Sequence, residues 1–281
     1  MNLWIEEKLE NIYGMRFRVT EVLFSGESQF QSVQVVRTAG HGVMLLNDGF
    51  IMLSERDEFV YHEMMAHVPL FVHPDPKRVL IIGGGDGGTA REVLRHPSVE
   101  ECVVVEIDGV VVRACCLHLP KTASSFDQAE VVIGDGVAYV AETDRTFDVV
   151  LVDSTDPIGP AEPLFGEAFY RNVHRVLAPD GIVVSQGETP WYKASTQRQL
   201  SGVLNRTFTL NGVYNFSNLT YPGGLWSFTF ASKGLHPLMD FDEDRAQESS
   251  IAFQYYNEAV HKAAFALPTF QARDLNGATN L

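Results

Sequence analysis

The sequence predicts an α/β protein, a Rossmann-like doubly wound parallel sheet preceded by a small N-terminal antiparallel β domain. Three observations carry that expectation. Five continuous apolar runs, RVLIIG, CVVVEID, AEVVIGD, FDVVLVD and GIVVSQGE, lie between about residues 78 and 188, and strands buried on both faces of a parallel sheet require such runs. Helix-length segments alternate with them, beginning near Gly87, Gly109, Gly136 and Gly166, which is the order of βαβ units. Upstream of Asp57 the chain instead shows short strand-like runs punctuated by glycine, the pattern of antiparallel hairpins.

The upstream runs are RFRVTEVLFSG from Arg16, then FQSVQVVRT, then GVMLLNDGFIML to about Leu53. Asn47-Asp48-Gly49 within the last is a hairpin signal. At Asp57 the period becomes helical, with Phe59, Met64, Ala66, His67 and Leu70 recurring among Tyr61 and His62, and the segment stops near Pro74 and Pro76. A helix therefore links the two sheets, and the expected division is 1–56 and 57–281. Beyond the fifth apolar run come a helix-like stretch from Ala194 to Leu204 and two strand-like segments, FTLNGVYNF and LWSFTFAS. The less regular tail from about Leu238 reads as peripheral.

Composition narrows the function. The chain has 281 residues, 45% of them hydrophobic, with 21 Lys and Arg against 36 Asp and Glu for a formal charge of −15. Disorder and fibrous repeats do not fit those values. An acidic surface repels phosphate backbones and draws cations toward carboxylate-lined clefts, so amines are favoured over nucleic acid as partners. Cys102, Cys115 and Cys116 show no paired metal-ligand spacing, and a reducing cytoplasm suits them. The adjacent pair Cys115-Cys116 reads as a buried helix face. The opening MNLWIEEKLE has neither a basic start nor an apolar core, and no run approaches the ~20 apolar residues of a membrane helix.

The chemistry-bearing motifs sit where the strands end. Directly after the first apolar run stands Gly83-Gly84-Gly85-Asp86-Gly87-Gly88, and Glu106 closes the next strand eighteen residues beyond Gly88. In strand, turn, helix, strand, acid order, this is a nucleoside site with Glu106 on the ribose hydroxyls. Asp86 inside the turn opposes a pyrophosphate at the helix N-terminus and suits a cationic sulfonium nucleoside or an amine. That disfavours dinucleotide oxidoreduction. Gly134-Asp135-Gly136 offers a short acid either to an adenine amine or as a helix N-cap, and the two roles are compatible.

The fourth run ends in Asp153-Ser154-Thr155-Asp156-Pro157-Ile158-Gly159-Pro160, two carboxylates three residues apart at the ligand-binding edge of the sheet. Asp156 before Pro157 favours an extended loop. With Asp86 and Asp135 these acids line a cleft short of candidate cations, which is costly unless the ligand supplies positive charge. A polyamine is the expected substrate. From local pattern, His62 reads more readily as a packed helix residue than a functional one. No H-E-x-x-H is present, so zinc chemistry has no support.

Taken in order over residues 4 to 233, these blocks resemble the polyamine aminopropyltransferase family. They are DEFVYHEM at 57–64, GGGDGG with Arg91-Glu92-Val93-Leu94, Val105-Glu106-Ile107-Asp108, Gly134-Asp135-Gly136, Asp153 to Pro160, Gln186-Gly187-Glu188 and Thr220-Tyr221-Pro222-Gly223-Gly224. The resemblance implies a class I methyltransferase-like fold and transfer of the aminopropyl group of decarboxylated S-adenosylmethionine to putrescine. Spermidine and 5′-methylthioadenosine are the implied products, with no metal or prosthetic group, from a homodimer or homotetramer. It implies nucleoside contacts from Gln31, Gly83, Gly85, Asp86, Glu106, Ile107, Asp135, Gly136 and Pro160. It implies amine contacts from Tyr61, His62, Asp86, Asp153, Ser154, Asp156, Gln186 and Tyr221, with Asp153 as base and Tyr61 and Tyr221 orienting the nucleophile.

The chain departs from the family where Asn218-Leu219 replace an apolar residue and proline, and where Thr155 replaces serine. Loss of the proline is expected to loosen the loop that carries Tyr221. Cadaverine, spermidine or agmatine are therefore alternative acceptors. An adenosylmethionine-dependent N-methyltransferase and a non-catalytic polyamine-binding protein are the competing functions.

Overall fold

Two sheets are built by two different residue patterns. In the computed structural model, which describes residues 3–9 and 12–281, the first sheet runs in sequential antiparallel order. Its strands are β1 (Leu3–Leu9), β2 (Tyr13–Glu27), β3 (Ser32–Thr38), β4 (Gly42–Asn47) and β5 (Phe50–Ser54). Asp48 and Gly49 both take positive φ, 50° and 82°, the backbone that a two-residue hairpin needs to match strand twist. The sheet begins earlier than the apolar pattern from Arg16 suggests. Strand β1 carries Glu6, Glu7 and Lys8 and buries only alternate residues, so its signal is faint.

Helix α1 (Glu58–Val72) follows at once, and nearly all of it is buried. That is why its sequence is apolar around most of its circumference. The second sheet then assembles from β6 (Arg78–Gly83), β7 (Glu101–Glu106), β8 (Glu130–Ile133), β9 (Phe147–Asp153) and β10 (Leu177–Gln186), all parallel. Strands β11 (Leu210–Ser217) and β12 (Leu225–Ser232) complete one side antiparallel, in the order β11-β12-β10-β9-β6-β7-β8. The intervening helices are α2 (Gly88–Val93), α3 (Gly109–His118), α4 (Pro120–Ala123), α5 (Gly136–Glu142), α6 (Glu167–Val176) and α7 (Ala194–Thr207).

Alternation along each central strand feeds two cores. Val79, Ile81 and Leu151 pack with α1 residues such as Met64 and Phe71, while Leu80, Ile82 and Val150 pack with Phe169 and Leu200 on the opposite face. Helix α3 joins the sheets, because Val111, Ala114 and Cys115 pack against Val33, Val35 and Leu45. Cys115 is buried, but Cys116 is exposed, since neighbouring positions on a helix point about 100° apart. The expectation of a buried Cys115-Cys116 face holds for the first residue only.

The tail is not peripheral. It contains α8 (Glu243–Gln247), α9 (Glu258–Ala264) and α10 (Thr269–Asp274), and its Phe241, Ile251, Tyr256 and Ala264 enter the same core as α1. The buried Glu63 carboxylate on α1 accepts the backbone N–H groups of Gln254, Tyr255 and Tyr256, each at 2.8 Å. Helices this short are invisible to a periodicity test. Among the described residues no helix is long and apolar enough to cross a membrane.

Candidate active site

The strand order reverses between β6 and β9, and there Gly83 stands opposite Asp153 in register. Ligand crevices of open α/β sheets form at such a switch point, outside the carboxyl ends of the strands. A cavity of about 330 Å³ lies at this place. It is bordered by Gln31, Gly83, Gly85, Glu106, Ile107, Asp135, Gly136 and Pro160. Tyr61, His62, Asp86, Asp153, Ser154, Asp156, Gln186 and Tyr221 border the same cavity.

The glycine turn is stitched to its neighbours. Gly83 has φ +86°, and a Cβ there would lie 2.0 Å from the Asp153 carbonyl oxygen, so only glycine fits. Gly84 N–H donates to that same carbonyl at 2.9 Å. Gly85 N–H donates to Glu106 Oε2 at 3.1 Å, and Asp108 N–H donates to Oε1 at 2.8 Å. Burial pushes the Glu106 carboxyl up to about 7, against the pull of those backbone donors. Asp135 caps α5 by accepting from Val137 N–H at 2.8 Å, so it serves as N-cap while bordering the cavity. Gln31 reaches in from the first sheet and donates to Asp108 Oδ2 at 3.0 Å.

Asp153 ends β9 with both carboxylate oxygens engaged by hydroxyls. Tyr61 donates to Oδ1 at 2.8 Å and Thr89 to Oδ2 at 2.6 Å. Burial and the nearby Asp86 charge raise its pKa, while His62, Thr89 and Tyr61 draw it back only in part. A buried carboxyl with a raised affinity for protons, held in place by two hydroxyl donors, is suited to accept one. The Tyr221 ring meets Tyr61 edge to face at 6.0 Å, and its hydroxyl donates to the Met52 carbonyl at 2.6 Å. Both tyrosines are thus held by partners outside their own elements.

The cleft is less short of cations than the sequence suggests. His62 is buried between Glu58, 2.5 Å from Nδ1, and Asp86, 3.4 Å from Nε2. Burial disfavours its charge, but Asp86 and Glu58 outweigh burial and hold the imidazole up at about 10. Lys193 likewise lowers Asp156, which burial raises and which accepts from Gln186 Nε2 at 3.3 Å. His62 is therefore both packed in α1 and part of the cavity's charge structure.

Four residues of this region have no role assigned from the sequence, although Glu58 and Glu188 lie in the blocks DEFVYHEM and Gln186-Gly187-Glu188. Thr89 is the second donor to Asp153. Glu58 charges His62 and takes both terminal nitrogens of Arg91 at 2.9 and 2.8 Å. Glu7 borders the cavity from β1, and burial pushes it up to about 7. Glu188, in left-handed backbone with φ 68°, has neither carboxylate oxygen hydrogen-bonded among the described residues. Burial and the Asp156 charge push it up to about 8. An acid at the carboxyl end of a buried strand was the available signal for Glu188; the other three depend on contacts between distant segments.

Residues 58–243 match the spermine/spermidine synthase domain, and residues 3–55 match the spermidine synthase tetramerisation domain. The chain belongs to the spermine/spermidine synthase family. It is a polyamine aminopropyltransferase, and hence a transferase. The polyamine aminopropyltransferase of Bacillus cytotoxicus is 44% identical over 272 residues, covering 96% of this chain and 98% of the relative. That of Thermotoga neapolitana is 43% identical over 278 residues, covering 98% and 94%. The crystal structure of a spermidine synthase in complex with the transition-state analogue AdoDATO superimposes with a TM-score of 0.96 at 43% identity, covering 98% of this chain and 95% of that one. Spermidine synthase from Thermotoga maritima gives 0.93 at 42% identity, covering 98% and 94%. The half-open antiparallel sheet followed by the mixed Rossmann-like sheet is the architecture these family members share.

Proposed function

We propose that this aminopropyltransferase moves the aminopropyl group of decarboxylated S-adenosylmethionine to putrescine, giving spermidine and 5′-methylthioadenosine. The observation that carries the reading is the placement of Asp153 at the switch point, with the glycine turn and Glu106 to one side and Asp156 with Gln186 to the other. An alkylammonium has no free lone pair, so it must lose a proton before it attacks the carbon next to the sulfonium. Asp153 accepts that proton directly or through water. The new C–N bond forms as the C–S bond breaks, and sulfur leaves as a neutral thioether carrying the electron pair.

In this reading Glu106 holds the ribose, Asp135 lies near adenine, and Gln31, Gly83, Gly85, Ile107, Gly136 and Pro160 shape the nucleoside site. Asp86 takes the donor's own amine, while Asp156, Ser154 and Gln186 hold the remote ammonium of the acceptor. Tyr61, His62 and Tyr221 line the path between them, and positioning supplies much of the rate. We read residues 1–56 and 57–281 as the two domains, the assembly as a homodimer or homotetramer, and the compartment as the cytoplasm.

The test is product analysis with decarboxylated S-adenosylmethionine and, in parallel, putrescine, cadaverine, spermidine and agmatine, with Asp153→Asn as control. Spermidine from putrescine and a nearly dead control support the reading. Preference for another acceptor moves the substrate, not the reaction. Tighter binding of S-adenosylmethionine than of its decarboxylated form favours methyl transfer, and ligand binding without turnover favours a binding protein.

A further inference from the structure

We propose that Glu58 is a positioning residue for aminopropyl transfer: through His62 it fixes the Asp86 carboxylate, so that one oxygen is committed to the protein and the other is left for the donor's amine. The proposal rests on the reading above that Asp86 takes that amine. Glu58 itself does not border the cavity, so it acts only through its partners.

The geometry is a chain of committed atoms. Arg91 donates to Oε1 and Oε2 of Glu58, and the same Oε2 lies 2.5 Å from His62 Nδ1. With Nδ1 engaged by a carboxylate, the imidazole turns Nε2 toward Asp86 Oδ1, 3.4 Å away. Oδ1 also accepts from Gly88 N–H at 2.6 Å, whereas Oδ2 accepts no hydrogen bond from any described residue. The ring packs closely on the turn, since a Cβ at Gly88 would lie 2.2 Å from His62 Cε1. His62 is faced by Glu58 from its own helix, by Asp86 from the turn after β6 and by Asp153 from the end of β9, with Arg91 behind Glu58.

Fixing a carboxylate before the ligand arrives removes the cost of orienting it on binding. It also keeps the imidazole charged, so its proton neutralises part of the acidic cleft in the empty enzyme. Loss of the Glu58 charge frees Nδ1, lets the ring rotate, and leaves Asp86 held by Gly88 alone. A residue that merely tied α1 to α2 through Arg91 would affect every ligand alike.

The experiment compares two ligands by calorimetry: decarboxylated S-adenosylmethionine, which carries the amine, and 5′-methylthioadenosine, which lacks it. Wild type, Glu58→Gln, His62→Gln, the double variant and Asp86→Asn are measured. Glu58→Gln is expected to weaken the amine-bearing ligand by about tenfold, the scale of one charge-assisted hydrogen bond, and methylthioadenosine by less than about twofold. The Glu58→Gln penalty is expected to vanish in the His62→Gln background. The His62 ring signal, followed by NMR, is expected to titrate at lower pH in Glu58→Gln than in wild type.

Equal losses for both ligands, a penalty that persists without His62, or an unmoved His62 titration each overturn the proposal. If Asp86→Asn weakens the amine-bearing ligand selectively and Glu58→Gln does not, the proposal fails while the role of Asp86 stands. If Asp86→Asn leaves both ligands unaffected, that role fails and the proposal with it. Should Glu58→Gln not fold, Glu58→Asp keeps the charge and shortens the reach, and the same selective loss is expected of it; an unselective loss overturns the proposal.

Discussion

Thr220 donates both its N–H and its hydroxyl to Asp57, closing a contact across 163 residues of chain. The same carboxylate accepts from Leu219 N–H at 2.8 Å and from Ser54 Oγ at 2.5 Å. Asp57 therefore ties the end of β5, the start of α1 and the loop carrying Tyr221 into one knot. Asn218 adds to it by accepting from Tyr221 N–H at 3.2 Å and by donating its own N–H to the Gly224 carbonyl. The loop from Asn218 to Gly224 is held by these hydrogen bonds.

Asp57→Ala is expected to orphan several buried donors at once and to cost roughly 3 kcal/mol of stability. The acceptor amine's KM should rise by about tenfold or more, with methylthioadenosine affinity little changed. Thermal melts and steady-state kinetics check both, and a KM that stays put would mean that the loop is positioned by Asn218 and Gly224 alone.

Thr89→Val removes a donor that favours the ionised form of Asp153, so the carboxyl should rise further. The acid limb of the kcat/KM profile is expected to move toward higher pH by about one unit. Asp153→Asn, measured beside it, should lower kcat by about a hundredfold or more while nucleoside binding survives. A Thr89→Val profile that superimposes on wild type would separate that hydroxyl from the base.

Cation binding is expected to release protons. Burial raises Glu7 and Glu106 to about 7, and burial with Asp156 raises Glu188 to about 8. In the empty protein the stability these groups contribute is full below their ordinary value of 4.5 and is lost as pH rises through 7 to 8. An ammonium held at Asp156, whose charge acts on Glu7 and Glu188, reverses the preference of those two. Calorimetry of polyamine binding near pH 7 in buffers of different ionisation enthalpy should show net proton release, and no buffer dependence would contradict it. Glu58 works in the opposite sense: burial is outweighed by His62 and Arg91, its carboxyl falls to about 2, and its contribution is lost only as pH drops toward that value.

Glu63→Ala removes the acceptor of three backbone N–H groups and should detach the segment around Gln254 to Tyr256. A loss of roughly 3 kcal/mol is expected, with new protease cleavage between residues 249 and 257. Intact resistance to protease would show that Tyr256 and Ile251 hold the tail by packing alone.

The cavity's frame was legible because each part announces itself locally. A glycine turn after an apolar strand, Glu106 closing the next strand and Asp153 closing the fourth are short-range patterns, and their fold order brings them to one edge. The charge of His62 is not visible in local pattern, because it depends on Glu58 and Asp86, which lie four residues away on the helix and on a different element. Glu7 and Thr89 were missed for the same reason. The tail was misjudged because its helices are too short to show a period, while its anchor, Glu63, sits on α1.

By itself the sequence determined the fold class, the element order and the family, because strand burial, turn chemistry and glycine geometry are set by neighbours in the chain. Only the tertiary structure decided the state of the carboxylates. A pKa is the sum of desolvation and of charges brought within a few ångströms by folding, and Asp153, Glu106 and Glu188 meet theirs across sheets and loops. The same holds for the knot at Asp57: a hydrogen bond acts over about 3 Å, and no spacing along the chain reveals which segments come that close.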